Sequence, residues 1–155
     1  MKEKKYVILE IIPTAINKGI IVQLSALKIN GLKLVDRFDY RINKEKINIP
    51  DILKIIDYDN KNFKYVESDN IIIDEFRKFI EDYDLLFINN LYTRNYLVGF
   101  DNKKEDILDY LKFKYSDDVV DKIIDKYNIE PTNHIVDILY EALIFESGED
   151  NGNSK

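Results

Sequence analysis

The chain has 155 residues, of which 45% are hydrophobic and 34% charged, with a formal net charge of -6. This composition suits one soluble globular domain, long enough to bury about two-thirds of its unfolded surface. The absence of cysteine excludes disulfides, thiol catalysis and thiolate metal sites; a single histidine leaves little for zinc, and the acidic balance opposes nonspecific binding to a phosphate backbone.

Lys2, Glu3, Lys4 and Lys5 lead straight into an apolar run with no signal-peptide pattern. No apolar stretch approaches the ~20 residues of a membrane span, so a soluble, cytoplasmic protein with no membrane partner is expected. Tyr6 to Ile12 ends at Pro13-Thr14, and a second β-rich run, Ile21 to Ile29, ends at Asn30-Gly31. These read as a strand, a loop and a returning strand. Leu34, Phe38, Tyr40 and Ile42 alternate with polar residues, broken once by Val35, which predicts a third antiparallel strand over Leu32 to Asn43. Lys44 to Asp69 is mixed and gives no assignable element, although Pro50 favours a turn or a helix start.

From Asn70 to Tyr83 the period changes: Ile72, Phe76, Phe79, Ile80 and Tyr83 fall at helical intervals, with Asp74 and Glu75 early. Leu85 to Ile88 reads as a short buried strand, and strand, helix, strand implies a parallel crossover. A short helix before Gly99 and a last strand at Ile107-Leu108-Asp109 are expected next. Ser116 is expected to cap a helix that begins with Asp117 and Asp118 and turns Val119, Val120, Ile123, Ile124 and Tyr127 inward. A final helix is expected from about Asn133 to Glu146, capped by Gly148. The chain thus divides into one α/β domain, residues 1–147, and a disordered polar tail, residues 148–155. Asp36, Asp39, Asp57, Asp59, Asp82 and Asp84 have no spacing that selects a metal loop, and no glycine-rich phosphate loop exists.

These segments resemble the DEDDh-type 3′ to 5′ exonucleases, proofreading and RNA-trimming enzymes on an RNase H-like fold. Their second strand reads Ile-x-Gln-Ile-Gly-Ala-Val, against Val22-Gln23-Leu24-Ser25-Ala26-Leu27 here, and Arg37-Phe38 and Ile42-Asn43 match their third strand and its exit. Ile88 to Leu97 lines up with their His-Asn-x-x-Phe-Asp-x-x-Phe-Leu, with Asn89, Tyr92, Tyr96 and Leu97 in matching places. The resemblance implies a mixed sheet of about five strands, three antiparallel and then parallel, flanked by helices.

The same alignment locates the family's chemistry. Glu10 stands where the first-strand motif has Asp, and Ile12 where it has Glu; Thr93 takes the place of a metal-binding Asp; His134 matches the general base, while Leu139 replaces the Asp five residues on. That chemistry uses two divalent cations ~4 Å apart, which several carboxylates must hold together. Only Glu10 keeps an acid, so the resemblance implies a catalytically degenerate protein, with Mg²⁺ or Mn²⁺ relevant only if residual activity exists. Glu10 is either a relic ligand or a polar residue at the sheet's edge, and His134 either a surviving base or a surface residue at a helix start. Asn89, Asn90 and Tyr92 are candidates for contacting a nucleotide, against ordinary turn and core roles. The expectation is a binding module acting through a protein partner in nucleic-acid metabolism or a mobile element. The alternatives are a non-cleaving binder of single-stranded nucleic acid and a residual exonuclease; a homodimer is compatible with each.

Overall fold

The computed structural model describes residues 4–14, 19–43, 63–131 and 134–153, with side chains of the last helix described as far as Gly148. Residues 44–62 of the mixed stretch, including Pro50, Asp57 and Asp59, lie outside them. Six strands form one sheet: β1 (Lys5–Pro13), β2 (Ile21–Asn30), β3 (Lys33–Ile42), β4 (Lys64–Val66), β5 (Asp84–Phe87) and β6 (Lys104–Asp106). Their order is β4-β3-β2-β1-β5-β6. β1, β2 and β3 are antiparallel neighbours, whereas β5 runs parallel to β1, β6 to β5 and β4 to β3.

The chemistry of the first two connections fixes this meander. Thr14 closes the neck of the β1–β2 loop in both directions: its N–H donates to the Ile20 carbonyl at 2.9 Å, and its Oγ1 accepts from the Ile20 N–H at 2.9 Å. Between β2 and β3 the chain turns at Gly31, whose φ of 64° is costly for a residue with a Cβ. The resulting register sets Glu10 opposite Ser25 and Ser25 opposite Asp39, with Ile12, Gln23 and Arg41 in the next row of the same face.

Helices cover both faces. α1 (Asp69–Ile80) turns Ile72, Phe76 and Ile80 onto the odd-numbered residues of β1, among them Val7, Leu9 and Ile11. It stops at Glu81, whose φ is 49°, so the buried Tyr83 belongs to the approach to β5 rather than to the helix. α2 (Leu91–Tyr96) packs Tyr96 against the core under α1, and on the other face α3 (Ile107–Leu111), α4 (Val119–Tyr127) and α5 (Ile135–Asn153) follow in chain order. From this side α3, α4 and α5 bury Tyr6, Ile8, Leu27 and Ile29. Among the described residues, no helix is long and apolar enough to cross a membrane.

Three boundaries differ from expectation. Ile107-Leu108-Asp109 is helical, and the last strand is the preceding Lys104–Asp106: the Asp106 carboxylate accepts the Leu108 N–H at 3.0 Å, so it caps a helix that buries Ile107, Leu108 and Leu111. α4 begins at Val119, because the Ser116 carbonyl accepts the Val119 N–H at 3.1 Å while the Ser116 hydroxyl donates to Asp118 at 2.8 Å. Asp117 and Asp118 therefore precede the helix. Gly148 lies inside α5 rather than capping it; an isolated glycine weakens a helix by ~1 kcal/mol but does not end one.

Candidate functional site

A cavity of about 160 Å³ opens beside the second half of β1, lined by residues of four elements and two connections. Glu10 comes from the face of β1 that α5 covers, Thr93 and Tyr92 from α2, Leu139 from α5, and Tyr115, Ser116 and Asp117 from the connection into α4. Asn90 fixes the near wall, since its side-chain oxygen caps α2 by accepting the Thr93 N–H at 3.0 Å. This holds Tyr92 and Thr93 towards β1.

The structure brings together Glu10, Thr93 and Leu139, three positions far apart in the chain that the sequence resemblance nominated. Asn90 and Tyr92 join them, whereas Ile12, His134 and Asn89 stay outside. Ile12 lies one row beyond the lining, beside Gln23 and Arg41. His134, just ahead of α5, stacks on Phe63 with ring centroids 5.6 Å apart. Asn89 belongs to a separate polar groove with Glu105 and Asp109, where its backbone N–H donates to the Asp106 carboxylate at 3.3 Å.

Sequence reasoning missed the far wall. Tyr115, Ser116 and Asp117 enter the cavity through an irregular connection. Asp117 adds a second carboxylate that no family motif marks. Only the position of α4 against α5 brings it there, and nothing in the local sequence announces that.

The electrostatics are those of a half-buried acid with little support. The Glu10 carboxylate makes no hydrogen bond or salt bridge to a described residue. Burial pushes its pKa from 4.5 up to about 8. The Tyr92 phenol is also raised, first by burial and then by the neighbouring Glu10 charge. Behind Glu10 the polar row continues inward. Ser25 is 1% exposed and Asp39 7%, and the Ser25 hydroxyl and Asp39 Oδ1 have no hydrogen-bond partner among the described residues. Asp39 Oδ2 accepts from Arg37 Nε at 2.6 Å, and Arg37 also grips Asp137 of α5 with two bonds of 3.0 Å.

A pair of divalent cations does not fit this donor set. Two acidic residues line the cavity where a dinuclear site needs several carboxylates, and among the described residues no group of three or more His, Cys, Asp or Glu side chains is arranged to hold a metal ion.

The sheet order, the crossover and the position of the cavity define an RNase H-like, exonuclease-type fold. Solved structures of exonuclease I share it. The product-bound structure matches with a TM-score of 0.56 and 13% identity over 94% of this chain and 43% of that one. The zinc-bound complex of the E. coli enzyme with single-stranded DNA gives 0.56, 12%, 93% and 40%, and the complex of exonuclease I with SSB-Ct gives 0.55, 13%, 93% and 40%. This chain therefore spans less than half the length of those proteins, and at such identity the likeness is one of fold. No family model and no curated protein matches the sequence.

Proposed function

We propose that this protein is a non-cleaving, exonuclease-like binding module whose old catalytic cleft engages a protein partner. One observation carries the reading: where the fold brings three of the family's acid positions together, it meets Glu10, Thr93 and Leu139. Two of those three side chains cannot bear a charge. The carboxylate repulsion that bound metals would neutralise has gone, and Leu139, Ile135, Val119 and Val120 give the cleft an apolar wall. Apolar walls with a few convergent polar groups suit recognition of a side chain.

A second reading, binding of single-stranded nucleic acid without cleavage, is favoured by Tyr92 and Tyr115, which offer ring faces in the same cavity. Against it, no described Lys or Arg lines the cleft, so the strand's phosphates would face Glu10 and Asp117 without counter-charge. The structures of exonuclease I include complexes with single-stranded DNA and with SSB-Ct, so both partner classes occur for a protein that contains this fold.

Incubation of 3′-labelled single-stranded DNA and RNA with the protein in Mg²⁺ and in Mn²⁺ tests the first claim. No trimming is expected. Metal-dependent trimming that disappears in Glu10→Ala and in Asp117→Ala would establish a rebuilt nuclease centre and overturn the proposal. Fluorescence anisotropy with the same strands separates the two binding readings, since the protein-partner reading expects no binding even at low salt.

A further inference from the structure

Resting on the reading of the cleft as a binding site, we infer that its ligand is the cationic head of a lysine or arginine side chain presented by a partner protein. The lining includes two acidic residues, Glu10 of β1 and Asp117 of the connection into α4, two tyrosines, Tyr92 and Tyr115, and no Lys, Arg or His among the described residues. Tyr115 is exposed, so its ring stands where the cavity meets solvent. A cation entering between the aromatic rings and the acidic residues gains from both, and its charge favours release to solvent of the proton that burial helps Glu10 retain up to about pH 8.

Behind the lining, which neither Ser25 nor Asp39 joins, the same face of the sheet stays polar. Ser25 lies directly opposite Glu10, so both side chains leave the sheet on one face. The Ser25 hydroxyl and the Asp39 Oδ1 acceptor are buried without a partner among the described residues, and the Glu10 carboxyl ahead of them makes no bond to a described residue. Once ionised, both carboxylates only accept, which leaves the Ser25 hydroxyl as the donor among these three groups. An ammonium or guanidinium brings donors only, three or more of them, on a stem whose methylenes suit the apolar wall formed by Ile135, Leu139 and Val120. Other occupants fit less well: a phosphate meets two carboxylates and no cation, and a purely apolar side chain leaves Glu10 desolvated and unpaired. The formal net charge of -6 also favours encounter with a basic partner surface.

The test is titration of the ¹⁵N-labelled full chain with N-acetyl-lysine methylamide, with the norleucine analogue as its uncharged counterpart. The expected result is a set of shifts confined to the amides around Glu10, Thr93 and Asp117, with the norleucine probe at least about tenfold weaker, a difference of ~1.4 kcal/mol. Glu10→Gln and Asp117→Asn should each weaken the lysine probe by a similar factor, with the dispersion of each variant's spectrum reporting its fold. Shifts scattered over the acidic surface, equal response to the two probes, or indifference to both substitutions would overturn the assignment. The comparison of the two probes on the parent chain decides the matter even if neither variant folds. A parallel trimming assay distinguishes failure of the ligand assignment from failure of the reading it rests on: no trimming and no cleft shifts reject only the cationic ligand, whereas trimming abolished by Glu10→Gln rejects the binding module itself.

Discussion

The two faces of β1, β2 and β3 are built from alternate residues of the same strands, yet they differ in kind. The face under α1 is apolar from Val7, Leu9 and Ile11 on β1 through Leu24 and Ala26 to Phe38 and Ile42, apart from Lys28 opposite Val7, whose ammonium is paired with Glu81 at 3.0 Å. The face under α5 begins the same way with Tyr6, Ile8, Leu27 and Ile29, then turns polar at Glu10, Ser25 and Asp39 and again at Gln23 and Arg41. The buried Arg41 is held there by two bonds to Gln23 Oε1, at 2.9 and 2.6 Å, and by its position 3.9 Å over the Phe63 ring. Burial specifies the first face, where any side chain of suitable volume serves. The second face keeps polar groups at one end, beside a cleft whose chemistry has changed while the sheet has not. Fold and site can diverge independently because different residues of the same strand carry them.

Breaking the apolar face should have the largest effect. Phe76 is fully buried on α1 and meets Phe38 and Phe100 edge to face, with ring centroids 5.4 and 5.7 Å apart. Phe76→Ala should cost about 3–5 kcal/mol through lost transfer energy and the cavity left behind. Denaturant unfolding measures it, and a loss below ~1 kcal/mol would mean that this face is not the one holding the domain together.

On the polar face the informative quantity is a pH slope. Glu10 ionises at about 8 in the folded protein against 4.5 as a free side chain, so folding favours its protonated form. Below 4.5 both states are protonated and nothing is lost; as pH rises towards about 8 the unfolded chain releases its proton while the folded one retains it, and stability falls. Between those limits the parent should lose on the order of 2–4 kcal/mol relative to Glu10→Gln, the upper figure discounted for the partial exposure of the carboxyl. Unfolding curves for both proteins on either side of the window measure that loss. Parallel pH profiles would mean that the Glu10 carboxyl is solvated and the polar end of this face is ordinary surface.

The same contrast explains what was legible in the sequence. Period-two alternation disclosed β3, and mostly apolar, β-rich runs disclosed β1 and β2, because burial selects those residues directly. The spacing of Ile72, Phe76 and Ile80 disclosed α1 for the same reason. β4 and β6 were not legible: each is three residues long, and Lys104-Glu105-Asp106 is strand only because β5 offers its backbone. Ile107–Leu111 is too short to tell a helical from an extended period, and the Asp106 cap settles it. Within the cleft, the meeting of Glu10, Thr93 and Leu139 followed from the family resemblance. Nothing in spacing alone joins residues so distant in the chain. Asp117 was invisible because packing, rather than any motif, delivers it.

The smallest expected effect is the sharpest in sign. Truncating a buried side chain normally destabilises, and on the α1 face every such change should. Ser25 is as buried as its apolar neighbours, but its hydroxyl has no partner among the described residues, so Ser25→Ala removes a desolvated polar group while deleting a single atom beside Glu10. An unsatisfied buried hydroxyl costs ~1–3 kcal/mol, and the cavity created is smaller than a methyl group. The variant should therefore be more stable than the parent by about 1 kcal/mol, read from the shift of the denaturation midpoint at constant slope. A loss of similar size would mean that the Ser25 hydroxyl is engaged in solution by an ordered water bridging it to Glu10 or Asp39. Comparing Ser25→Ala in the parent and in Glu10→Gln then assigns the bridge, because a water shared with Glu10 makes the two changes non-additive, whereas one held by Asp39 leaves them independent.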